Sequence, residues 1–154
     1  MGITTISQKL TAQSTIAKHT LGTFYNNATN GGEYIYVLAG EAITKYQACS
    51  YNSAFSALKL TKTNADKLYG LGIAMSNIAS GSYGWLLIGG SLSSYVSTIN
   101  APAKEVAIYT SATAGAVDDC ATSQTKISGL FCSADGVCAT AENTAVFLTR
   151  RMGV

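Results

Sequence analysis

Histidine is the scarcest of the residues able to do chemistry: His19 is the only one in 154 residues. A Ser-His-Asp or Cys-His device needs that imidazole held rigidly beside a nucleophile. His19 falls in a Thr-, Ser- and Ala-rich N-terminal stretch, which reads as an exposed polar position. The thiols are Cys49, Cys120, Cys132 and Cys138, none spaced as CxxC, so a zinc knuckle is disfavoured. Cys132 and Cys138 flank Ala134-Asp135-Gly136, which has the composition of a three-residue hairpin loop. If Ser133 pairs with Val137, the two thiols face each other and a disulfide is geometrically open. Reduced cysteines are the alternative, favoured for assembly in a cytoplasm. Adjacent carboxylates occur only at Asp118-Asp119. Acid–base pairs work about 5–9 Å apart across a shared cleft, so this pair reads as turn-making. There is no GxxxxGK[ST] loop and no GxGxxG between strand and helix. The expectation is no catalytic, cofactor-binding or metal-binding residue; a small hydrolase using Cys49 or His19 is the weakest reading.

The elements that would position such groups are strands. Tyr34-Ile35-Tyr36-Val37-Leu38 is aromatic and β-branched, and Ala48-Cys49-Ser50-Tyr51 is a weaker strand. The run 57–62 alternates, predicting Leu58 and Leu60 inward with Lys59 and Thr61 outward. Leu71, Ile73 and Met75 share one face of the next strand. Gly70, Gly72 and Ala74 share the other, a small-residue face that suits close approach by another backbone. After Ser80-Gly81-Ser82, the strand Tyr83-Gly84-Trp85-Leu86-Leu87-Ile88 is apolar on both faces and is predicted central; it carries the sole Trp. Val106–Tyr109, Ile127–Cys132, Val137–Thr140 and Thr144–Thr149 supply later strands, Thr110–Thr125 reads as a loop, and a helical turn is allowed near Asn64–Lys67 or Thr122–Thr125. Strands at roughly ten-residue spacing with Gly-rich turns predict an all-β, compact barrel or sandwich of β-tulip or jelly-roll type. Residues 1–30 read as an extended N-terminal arm and loop, and 31–154 as the β domain.

Charged residues make up 12% of the chain, against about 25% in ordinary soluble domains. Such a surface loses little charge solvation when covered, which suits a protein packed against partners. A net charge of +2 gives no general nucleic-acid footprint. No apolar run reaches the ~18–20 residues of a membrane span. Residues 1–18 lack the apolar core of a secretion signal, so synthesis in a cytoplasm is expected. Tyr34, Tyr36, Tyr69, Tyr83 and Tyr109 fall on strands, where aromatics pack cores and interfaces more often than they stack ligands.

Three blocks, in order, resemble the tailed-bacteriophage head decoration, or capsid cement, proteins. They are Gly31-Gly32-Glu33-Tyr34-Ile35-Tyr36-Val37-Leu38-Ala39-Gly40-Glu41-Ala42-Ile43, then Gly70-Leu71-Gly72-Ile73-Ala74 with Ile78-Ala79-Ser80-Gly81-Ser82-Tyr83-Gly84-Trp85, then residues 107–119 followed by 122–130. Tyr34, Tyr36, Gly70, Gly72, Tyr83, Gly84 and Trp85 are the structural signature. The resemblance implies a β-rich virion protein on the outside of the mature head, with no enzymatic activity and no cofactor. Its implied partners are the major capsid protein and further copies of itself, as a trimer or a dimer, without nucleic acid or membrane. Candidate capsid or oligomer contacts are Ile3, Ile6, Leu10 and Ile16 in the arm, with Arg150 and Arg151 near the C-terminus. The alternative is a tail- or fibre-associated adhesive β module that binds a host-surface glycan or protein.

Overall fold

A strand that is apolar on both faces must be covered on both, and the architecture follows from that demand. The computed structural model describes residues 10–29, 31–67, 70–90, 93–99, 106–119, 124–132 and 143–153. The first sheet holds β1 (Phe24–Asn26), β2 (Glu33–Ala39), β3 (Ala48–Tyr51), β4 (Ser56–Lys59), β5 (Gly70–Ala74) and β6 (Tyr83–Gly89), with a one-turn helix α1 (Lys62–Ala65) between β4 and β5. Its order is β1-β2-β4-β3-β5-β6, and β6 also pairs antiparallel with β2, from Glu33↔Gly89 to Leu38↔Tyr83. That pairing closes β2, β4, β3, β5 and β6 into a five-stranded barrel. β1 and β4 share one edge of β2: β1 lies antiparallel opposite Glu33–Ile35, and β4 parallel opposite Leu38 and Ala39.

Closure explains the small residues. Successive side chains alternate between the two faces of a strand. Ile35, Val37, Cys49, Ala57, Ala74, Leu86 and Ile88 form the buried interior cluster, with Ile43 and Ile78 joining them from the loops. A barrel this narrow is filled by its own side chains, so large residues must alternate with small ones. A methyl group on Gly72 would lie 2.8 Å from Leu86 Cβ, and one on Gly84 would lie 2.5 Å from Ile78 Cδ1. The small-residue face expected at Gly70, Gly72 and Ala74 is therefore the barrel's inner wall.

The opposite faces turn outward and are buried too. Tyr34, Tyr36, Leu71, Ile73, Trp85 and Leu87 share a second cluster with Val96, Ile108, Val117, Ile127 and Leu130. The latter come from a second sheet and its flanks: β7 (Ser93–Ser97), β8 (Ala107–Thr110), β9 (Val117–Asp118), β10 (Lys126–Cys132) and β11 (Asn143–Gly153), ordered β7-β11-β10-β8-β9. A parallel bridge between Thr98 and Val117 ties its two outer strands together. Backbone bonds seat this sheet's loops on the barrel, with the Ala48 N–H on the Gly115 carbonyl and the Gly115 N–H on the Leu60 carbonyl, both at 2.8 Å. β10 carries a bulge at Gly129, whose φ of 82° suits glycine and beside which the register shifts.

The all-β expectation holds, with differences in detail. Leu58 is 40% exposed, not inward, while Leu60 is buried. Both lie on the barrel's outer face, because Ala57 points inside, but the second cluster covers only Leu60. β1, β7 and β9 were not anticipated: Phe-Tyr-Asn, Ser-Ser-Tyr-Val-Ser and Val-Asp hold no apolar run. The described part of the expected arm, 10–29, lies against the barrel. Ser14 and Tyr83 exchange backbone bonds at 2.9 and 2.8 Å, and Gly22 donates to the Tyr36 carbonyl before β1 begins. The expected strand Val137–Thr140 lies outside the described residues.

Candidate functional site

Tyr36 of β2 and Trp85 of β6 are register partners on the barrel's outer face, with ring centroids 5.0 Å apart. Tyr36 stacks on Tyr83 at 6.0 Å with a 10° interplanar angle, and Tyr25 of β1 packs edge-on against Trp85 at 6.3 Å. The N-terminal segment crosses this aromatic floor and sets His19 on it, 5.1 Å from Tyr36 and 5.3 Å from Trp85. His19, expected as an exposed polar residue, is instead partly buried. Its position comes from anchors on either side: before it the Ser14–Tyr83 exchange and the Lys18 N–H donated to the Tyr36 phenol oxygen at 3.1 Å, and after it the Gly22 N–H donated to the Tyr36 carbonyl at 2.9 Å.

Between segment and floor lies a cleft of about 350 Å³. Gln13, Ser14, Lys18 and His19 line it from the segment, and Tyr36 and Trp85 line its floor. Ser14 Oγ is engaged locally, donating to the Ile16 carbonyl at 2.7 Å and accepting from the Ile16 N–H at 3.2 Å. Gln13 Oε1 accepts the Ala79 N–H at 2.6 Å, which leaves its amide N–H groups free to donate. Tyr36 and Trp85 are only 2% and 4% exposed. Their ring faces are covered, so they offer edges and polar tips rather than a stacking platform. Among the described residues no Asp or Glu lines the cleft.

The other candidates are dispersed. Cys49 is fully buried inside the barrel; burial raises its thiol well above the ordinary range, the Glu41 charge adds to the rise, and Lys59 opposes it. Such a thiol is a poor nucleophile. Asp118, expected in a turn, instead ends β9; its Oδ1 accepts the Asp119 N–H at 2.8 Å, and partial burial followed by the neighbouring Asp118 raises the Asp119 carboxyl. Among the described residues no cluster of three His, Cys, Asp or Glu could hold a metal.

Of the signature residues, Tyr34, Tyr36, Tyr83 and Trp85 meet on the outer aromatic face, whereas Gly72 and Gly84 line the interior. Gly70 sits under its register partner Tyr51, whose ring contacts the position its Cβ would take. Of the expected contact residues, Ile16 is 68% exposed, while Leu10 is partly buried against the outer cluster. Arg150 and Arg151 lie in β11, and Ile3 and Ile6 fall outside the described residues. Cys132 ends β10 opposite Val146; Cys138 lies outside the described residues. Sequence reasoning missed the cleft, because Lys18 and His19 meet Tyr36 and Trp85 through chain crossing that no local pattern announces.

The fold thus defines an all-β protein in which a small closed barrel carries a second sheet, with a cleft under its N-terminal segment. No family model, curated protein or solved structure matches the chain.

Proposed function

We propose that this chain is a structural virion protein that binds the exterior of a mature tailed-phage head and cements neighbouring capsomers against the pressure of packaged DNA. The observation that carries the reading is the placement of the three resembling blocks. Residues 31–43 contain β2, residues 70–85 contain β5 and the start of β6, and residues 107–130 contain β8, β9 and most of β10. The resemblance therefore spans strands of both the barrel and its covering sheet, together with the turns that join them. The surface composition agrees. Only 12% of residues are charged, and Ile16, Phe24 and Leu58 stand exposed. Such surfaces cost little to desolvate at an interface core.

The energetics favour many weak sites. A ligand that binds only the expanded shell stabilises it by about 2.7 kcal/mol per site at a hundredfold excess over Kd. Repetition over a lattice turns that term into a large barrier, and self-association of the cement as a trimer or dimer raises retention further. Cosedimentation with expanded, undecorated heads tests the proposal. Saturable binding at micromolar protein is expected. Absence of binding there, with binding to host-surface glycan instead, overturns it in favour of an adhesive module.

A further inference from the structure

The geometry points to a second capability in the cleft beneath the N-terminal segment: we infer that it binds an acidic monosaccharide unit, a sugar ring carrying a carboxylate. The inference stands apart from the cementing proposal, because it uses different residues and a different ligand. Its basis is the set of donor-bearing side chains that line the cleft. Lys18 supplies an exposed ammonium and makes no ion pair among the described residues. The Tyr36 oxygen accepts the Lys18 N–H, which leaves the phenol proton to donate outward. The indole N–H of Trp85 has no acceptor among the described residues, and neither ring nitrogen of His19 is engaged there. With Oε1 held by Ala79, Gln13 adds two more donors.

Donors therefore dominate, with one positive charge and no carboxylate among the described lining residues. Acceptor-rich anions satisfy such a set, and charge-assisted bonds to a carboxylate are the strong ones. A neutral apolar guest would leave these donors unpaired, at the cost of their desolvation. Size narrows the class. The cleft's roughly 350 Å³ sits at the small end of ligand pockets. It admits one sugar ring, whose hydroxyl oxygens provide acceptors beyond the carboxylate. Because the ring faces of Tyr36 and Trp85 are covered, recognition runs through hydrogen bonds at their edges rather than through stacking.

The test uses the full chain and its own reporter, since Trp85 is the sole Trp. Trp85 emission is followed while glucuronate, glucose and inorganic phosphate are each titrated at fixed ionic strength. A saturable change with glucuronate, absent with glucose and weaker with phosphate, is the expected result. Lys18→Ala, at an exposed position, should weaken glucuronate binding roughly tenfold or more, with the folded far-UV spectrum retained. An equal response to glucose removes the carboxylate from the inference. An equal response to phosphate reduces the cleft to a general anion site. No response to glucuronate, or a response unchanged in Lys18→Ala, overturns the inference.

Discussion

Tyr36 and Trp85 face each other across the β2–β6 pairing that closes the barrel, 5.0 Å between ring centroids and both almost wholly buried. One cross-strand pair thus sits on the closing seam, within the second cluster and under the N-terminal segment. Trp85→Ala should cost about 3–5 kcal/mol, the range for deleting a large buried aromatic. Trp85→Phe should cost less, because most of the ring contact survives. Urea denaturation followed by far-UV circular dichroism, with unchanged m-values, checks both.

The segment that covers the seam is held by few bonds. Ser14→Pro removes the N–H donated to Tyr83, one of the two exchanged bonds. It should leave the barrel folded while exposing Trp85. Iodide quenching of Trp85 emission should rise, with the main unfolding transition moving by no more than about 1.5 kcal/mol, the net contribution of one hydrogen bond.

The barrel interior predicts a compensating pair. Gly84→Ala places a methyl group 2.5 Å from Ile78 Cδ1 and should destabilise by about 1–3 kcal/mol. Ile78→Val removes that Cδ1 atom. The double variant should be more stable than the sum of the two single effects predicts, a coupling measured directly by a double-mutant cycle.

Burial of Cys49 sets a pH dependence. Its thiol is raised in the folded protein, whereas an ordinary unfolded thiol ionises near about pH 8.5. The folded state keeps its proton after the unfolded state loses it. The contribution is full below that pH and declines above it, by up to about 1.4 kcal/mol per pH unit. Between about pH 7 and pH 10 the wild type should lose roughly 2 kcal/mol more than Cys49→Ala does. Equal losses would place the thiol in contact with solvent.

At the surface, Asp66 is lowered by the hydrogen bond from Lys62 at 2.6 Å and then by the one from Thr125. Lys62→Ala should return its carboxyl toward the ordinary value of about 3.9, read by carbon NMR titration.

The strands around Tyr34–Leu38 and Tyr83–Ile88 were legible because both are apolar on two faces and bounded by glycine turns. Barrel closure was only half legible. Gly72 and Ala74 signalled a close approach, but alternation cannot say whether a covered face looks into a barrel or onto another sheet. Leu58 shows the limit: it shares a face with Leu60, yet the covering sheet ends between them. The cleft was not legible at all. His19 reads as a polar residue in a polar stretch, and it is the Ser14–Tyr83 exchange together with the bonds from Lys18 and Gly22 to Tyr36 that brings it onto Trp85.

The most direct measurement of the cementing role is the temperature at which undecorated, DNA-filled heads release their DNA, with and without saturating protein. A protein that clamps the expanded lattice raises that temperature, in step with its occupancy of the shell. An unchanged release temperature at saturating protein would contradict the role.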